Sequence, residues 1–226
     1  MTRYSRIQVW QEFEDLGLVC LFYNDDVAVA KRIVRALSEG GGRIIEFTNR
    51  GDRAHEVFHE LSSEVSSSDR EILLGAGSVL DPVTAGLYID LGADFIVGSV
   101  LNPDVARLCN RRKIPYIPGC ATPSEISAAE ELGAEICKVF PADQLGGPEY
   151  IKAIKGPCPW LKLMPTGGVD VTKENLQAWF AAGVICVGIG SKLVQQDLVE
   201  SEKWHALTAL TAKCLEWIQE ARDVSV

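Results

Sequence analysis

The chain has 226 residues, 47% hydrophobic and 23% charged, enough for one substantial core of a globular protein. Its net charge of −9 argues against nonspecific binding to nucleic acid or an anionic membrane. No run approaches the roughly 18 apolar residues that would span a bilayer. Seven cysteines form no CxxC pair, and Cys20, Cys137 and Cys186 lie in apolar runs as small core residues, which predicts a reducing cytoplasm. Met1–Trp10 lacks the continuous apolar core of a signal peptide.

In chain order, the segment before Leu18 places Ile7, Trp10, Phe13 and Leu16 on one helical face and reads as an extra helix. Strand runs follow at Leu18–Tyr23, Arg43–Thr48, Ile72–Gly75, Phe95–Gly98, Tyr116–Pro118, Glu135–Phe140, Leu161–Pro165 and Val184–Gly188. Helical patterns lie between them near 26–38, 53–66, 82–91, 104–112, 123–132, 148–155, 173–181 and 202–221. Gly92, Gly133 and Gly183 precede apolar strands, as expected of helix C-caps. Strands too apolar for a one-sided sheet, each followed by a helix, predict a single (β/α)8 TIM barrel. Its first 17 residues form the extra helix that closes the bottom, 18–195 the barrel and 196–226 a C-terminal helix.

Sites in such barrels lie at the C-terminal strand ends. Lys138 stands alone in the apolar run Glu135-Ile-Cys-Lys-Val-Phe. If it faces a dry pocket, burial lowers its pKa and frees a lone pair to attack a carbonyl. In the second strand, alternation puts Ile44, Glu46, Thr48 and Arg50 on one face. An acid in such a run is costly unless paired or used. Glu46 and Lys138 therefore make a pair for Schiff-base chemistry, the lysine attacking a ketone and the carboxylate moving protons. The bland alternative is a buried ion pair without chemistry. Lys162, also in an apolar strand, is the rival nucleophile, but it begins its strand and belongs at the opposite end.

Pro165-Thr-Gly-Gly-Val169 and Val187-Gly-Ile-Gly-Ser191 follow the last two strands, where backbone N–H groups commonly hold phosphate. Gly75-Ala-Gly-Ser-Val79 adds a third close-approach turn with Ser78 as donor. Arg50 suits a substrate carboxylate through its planar fork. His55-Glu-Val-Phe-His59 matches a zinc-protease pattern, but Val57, Phe58 and Leu61 already define the buried stripe of that helix. The remaining histidine, His205, is not spaced as a third ligand, and no metal is expected.

Glu46-Phe-Thr-Asn-Arg50, Gly75-Ala-Gly-Ser-Val-Leu80, Ile117-Pro-Gly-Cys-Ala-Thr-Pro-Ser-Glu125, Lys138-Val-Phe-Pro-Ala142, Pro165-Thr-Gly-Gly168 and Gly188-Ile-Gly-Ser191 fall in one order along the chain. In these blocks, from about residue 17 to about 195, the sequence resembles the 2-keto-3-deoxy-6-phosphogluconate / 4-hydroxy-2-oxoglutarate aldolases, class I enzymes. The resemblance implies a cofactor-free TIM barrel assembled as a homotrimer and acting on a small, phosphorylated keto acid. It assigns the Schiff base to Lys138, proton transfer to Glu46 and carboxylate binding to Arg50 with Ser78. Thr166, Gly167, Gly168, Gly190 and Ser191 would bind the rest of the substrate, phosphate included. The implied reaction yields pyruvate and glyceraldehyde 3-phosphate. The alternatives are cleavage of 4-hydroxy-2-oxoglutarate, the phosphogalactonate epimer, and a barrel that has lost activity. Two departures stand out, both expected at the pocket mouth. The first strand ends without the family's basic residue, in Tyr23-Asn-Asp25, and the fourth ends in Val97-Gly-Ser-Val100 instead of Ser-Pro.

Overall fold

A computed structural model describes residues 3–67 and 71–223; the ends of the expected terminal segments, 1–2 and 224–226, lie outside the described residues. Helix α1 spans Arg6–Leu16, opened by a reciprocal Ser5–Gln8 capping box and closed at Gly17. Nine strands and nine further helices alternate after it among the described residues. They run β1 Leu18–Phe22, α2 Val27–Glu39, β2 Ile44–Thr48, α3 Ala54–Ser67, β3 Leu73–Gly77, α4 Pro82–Asp90, β4 Ile96–Val97 and α5 Pro103–Arg112. Then come β5 Tyr116–Ile117, β6 Gly119–Cys120, α6 Pro123–Glu131, β7 Cys137–Val139, α7 Gly147–Lys155, β8 Leu163–Pro165, α8 Lys173–Ala181, β9 Val187–Ile189, α9 Gln196–Glu200 and α10 Trp204–Asp223. Starts are sharp where an Asx or Thr side chain caps a proline-led first turn, as Asp81, Asn102 and Thr122 do for α4, α5 and α6. Gly92, Gly133 and Gly183 take left-handed φ, as the junctions predicted.

All paired strands are parallel, in a six-stranded sheet β5-β4-β3-β2-β1-β9 and a three-stranded sheet β6-β7-β8. The expected fifth strand, Tyr116–Pro118, is divided. Pro118 has no N–H to donate, so β5 pairs with β4 on one side and β6 with β7 on the other. Thr166, just past β8, pairs in parallel with Gly188 of β9.

Alternation splits the strand side chains between two cores. Cys20, Phe22, Ile45, Phe47, Cys137 and Val139 join the large cluster beneath the helices. Val19, Leu21, Ile44, Leu73, Phe95, Ile136 and Met164 form a second cluster with α1. Val9 and Phe13 are the fully buried residues of α1, and Phe13 meets the Phe95 ring edge-on at 5.1 Å. The expected apolar face of this helix is corrected in one place: Ile7 is 70% exposed, because the helix turns Val9 inward instead. Arg3 fixes the entry to α1, reaching Asp94 Oδ2 and the Ile72 carbonyl at 2.6 Å each.

At the other terminus, the expected single helix over 196–226 is two. Glu202 takes a positive φ of 51° in the turn between α9 and α10, which breaks the helical ladder there. Helix α10 packs along α2 and α8, with Thr208 Oγ1 donating to Ala36 O at 3.0 Å and Lys173 paired to Glu220. Among the described residues, no helix is long and apolar enough to cross a membrane.

Candidate active site

Strand β2 pairs with β1 and β3 in a register that sets Glu46 beside Leu21 and Gly75. Its period of two turns Ile44, Glu46 and Thr48 away from the helices, where Glu46 is fully buried. The same period through β7 turns Lys138 inward together with Ile136, which immediately precedes the strand, and Lys138 is 3% exposed. Although the two strands belong to different sheets, Lys138 Nζ lies 3.8 Å from Glu46 Oε1. Lys138 Nζ also sits 5.5 Å from the centroid of Phe140, two residues along the same strand direction.

Burial raises the Glu46 carboxyl above the usual carboxylate range; the charges of Lys138 and then Arg50 pull it back only in part. Neither oxygen of Glu46 has a hydrogen-bond partner among the described residues, and the Thr166 hydroxyl, also buried, has none. A carboxyl held this way retains a proton readily and is free to pass it to something between itself and the amine. Glu46 fits because β3 leaves room. A Cβ at Gly77 would stand 2.2 Å from Glu46 Oε1, so the close approach requires glycine at that position.

Above the pair opens a cavity of about 640 Å³, within the usual size range for small-molecule sites. All nine residues singled out in the sequence line it: Glu46, Arg50, Ser78, Lys138, Thr166, Gly167, Gly168, Gly190 and Ser191. Arg50 is exposed at the mouth and makes no hydrogen bond or ion pair with the described residues. Gly167 and Gly168 take φ of 86° and 84°, a left-handed turn that points backbone toward the cavity and that other residues adopt with strain.

Other wall residues were not foreseen. Phe140 carried a signal, standing two residues from Lys138 on the same side of the run. Lys192 follows Ser191 directly, and its Nζ lies 2.9 Å from Asp170 Oδ1. Of the two departures expected at the mouth, Asn24 and Asp25 do line the cavity. Residues 98–100 do not. The Tyr116 hydroxyl donates to Val100 O at 3.1 Å, and Ser99 is packed against Gly119, which draws that loop away from the cavity.

The rival residues sit elsewhere. Lys162 is half-exposed and paired with Glu14 of α1, at the opposite strand ends. On α3, His59 is exposed, and Glu56 Oε2 accepts from Arg53 Nε at 2.9 Å. Among the described residues, no group of three or more His, Cys, Asp or Glu could hold a metal ion.

A parallel α/β fold with a buried lysine and a buried carboxyl facing each other at its strand ends suits bond cleavage beside a ketone, the work of an aldolase. The comparisons agree. The profile of the family described as KDPG and KHG aldolase matches residues 10–210. A 2-dehydro-3-deoxy-phosphogluconate aldolase of Haemophilus influenzae is 30% identical over 216 residues, covering 96% of this chain and 99% of that protein. A KHG/KDPG aldolase of Escherichia coli is 32% identical, covering 81% and 84%. A KDPG aldolase of Legionella pneumophila, solved with pyruvate captured at low pH as a covalent carbinolamine, superposes with a TM-score of 0.80 at 28% identity, covering 88% and 94%. The chain belongs to the KDPG and KHG aldolase family. That makes it a lyase, which removes the inactive-barrel and zinc-protease readings.

Proposed function

We propose that the protein cleaves 2-keto-3-deoxy-6-phosphogluconate to pyruvate and glyceraldehyde 3-phosphate through a Schiff base on Lys138. The observation that carries this reading is the 3.8 Å separation of Lys138 Nζ and Glu46 Oε1 in a buried interior that raises the carboxyl above the usual carboxylate range. The Lys138 amine attacks the C2 carbonyl, and Glu46 gives a proton to the departing hydroxyl as the carbinolamine loses water to an iminium. The carboxylate then takes the C4 hydroxyl proton. The C3–C4 electron pair moves toward the iminium nitrogen, and the aldehyde leaves. Protonation of the enamine at C3 and attack by water return pyruvate and the free amine. The carbinolamine seen in the Legionella relative is the adduct of an amine with a ketone, which supports the first step.

In this reading Arg50 holds the substrate carboxylate in a forked pair of hydrogen bonds, aided by the Ser78 hydroxyl. Thr166 borders the reacting carbons. Backbone N–H groups of Gly167, Gly168, Gly190 and Ser191, with the Ser191 hydroxyl, take the phosphate. A cavity of about 640 Å³ with both glycine turns retained favours the phosphorylated substrate. The E. coli relative's name covers both substrates, so 4-hydroxy-2-oxoglutarate, giving pyruvate and glyoxylate, is the second reading, and the phosphogalactonate epimer a third.

We extend the proposal to the architecture. Only Pro118 separates β5 from β6, Thr166 bridges to Gly188, and Glu46 meets Lys138 from the other sheet. These features support one closed (β/α)8 ring over 18–195 in a single domain of 1–226, plugged by the helix within 1–17 and flanked by the helical segment 196–226. A homotrimer working without metal or cofactor in the cytoplasm completes the reading.

Pyruvate with borohydride tests it. The expected result is a reduced adduct on the peptide containing Lys138, absent in Lys138→Met together with turnover; an unlabelled Lys138 in active protein would overturn the reading.

A further inference from the structure

Three cations line the cavity among the described residues: Arg50, Lys138 and Lys192. The reading above employs the first two at the carboxylate and the imine. Lys192 is left. It stands in the turn after β9, next to Ser191, and pairs with Asp170, which lies two residues beyond the Gly167-Gly168 turn after β8. One side chain thus spans the two turns that would hold the phosphate.

The charges around it argue that this pair is provisional. Lys192 is 62% exposed and Asp170 45%, and an ion pair so wet holds weakly and exchanges readily. The loop after β1 meets the cavity in Asn24-Asp25, without a cation, and Asp25 and Glu200 both line the wall. A phosphate dianion entering here meets negative charge unless a cation accompanies it. Lys192 is a compact point charge on a flexible stem, suited to leave one anion for another that offers three oxygens.

We propose that Lys192 exchanges Asp170 for the substrate's phosphate and so sets the preference for phosphorylated over unphosphorylated keto acids. The proposal rests on the Schiff-base reading of the site. Steady-state kinetics on the full-length protein test it, with 2-keto-3-deoxy-6-phosphogluconate and 4-hydroxy-2-oxoglutarate as paired substrates and inorganic phosphate as a competitive inhibitor. Lys192→Met is expected to raise KM for the phosphorylated substrate, and the phosphate inhibition constant, by about tenfold. Its kcat should stay within about twofold and the loss should be confined to the phosphorylated compound. Lys192→Arg should restore most of the affinity. Asp170→Asn, which removes the competing anion, should leave that KM at or below the wild-type value. If Lys192 only ties the turns together, Asp170→Asn will raise KM as Lys192→Met does, and the proposal is overturned. It is equally overturned if Lys192→Met leaves both constants unchanged or impairs the two substrates alike. Failure of the underlying reading shows separately, as wild-type protein that pyruvate and borohydride do not label on Lys138.

Discussion

Glu46 is the residue whose surroundings matter most for both chemistry and stability. Its carboxyl is fully buried, and burial outweighs the attraction of Lys138 and Arg50. An acid whose folded pKa is raised is stabilising below its unfolded value of 4.5 and loses that contribution as pH rises through the folded value. Wild-type protein should therefore lose stability relative to Glu46→Gln as pH climbs above the carboxyl's ordinary value of 4.5. Thermal melts of both proteins across that range will check it. The same substitution removes the proposed proton carrier and should cut kcat by about 10²–10⁴-fold while circular dichroism stays unchanged. Gly77→Ala acts on the same carboxyl from the backbone side. Its methyl would fall 2.2 Å from Glu46 Oε1. The carboxylate must shift, so turnover should drop by about a hundredfold, with about 1–3 kcal/mol lost in urea unfolding.

Helix α1 shows what an element contributes beyond any one residue. Its Phe13 fills the space beneath Phe95 and is fully buried, at the strand ends remote from Lys138. Phe13→Ala should destabilise the fold by about 3–5 kcal/mol in urea unfolding and leave the KM of the remaining folded enzyme close to wild type. A change in KM as large as the stability loss would mean that α1 reaches the site. The strands repeat the lesson. The alternation Ile44-Glu46-Thr48 is legible because a pleated strand admits only two faces, and Lys138 is legible for the same reason. Ile7 was misassigned because an amphipathic pattern gives a stripe but not its rotation against the core. The helical pattern near 202–221 corresponds to α10, whereas the short α9 and the break after it rest on the backbone of Glu202, a residue type that ordinarily continues a helix.

At the scale of the molecule, a net charge of −9 surrounds a cavity that carries Arg50, Lys138 and Lys192. A chain this acidic can receive an anion where cations and backbone N–H groups converge locally. Exposed Leu80, just before α4, and exposed Val83 and Leu87 within it give the proposed trimer apolar surface to cover. Sedimentation equilibrium should return three times the chain mass of 24.6 kDa; a single-chain mass would remove the assembly from the proposal.

The residue order alone determined the alternation of strands and helices, the inward faces of β2 and of the run that forms β7, and the family to which the blocks belong. These follow from periodicity and from spacing, which are properties of a linear chain. Tertiary structure decided the rest: that Glu46 and Lys138, 92 positions apart, come within 3.8 Å, that no hydrogen-bond donor among the described residues reaches the carboxyl, and that Lys192 finds Asp170 across two turns. Dryness and charge pairing depend on what surrounds a group in three dimensions, and a sequence lists neighbours in only one.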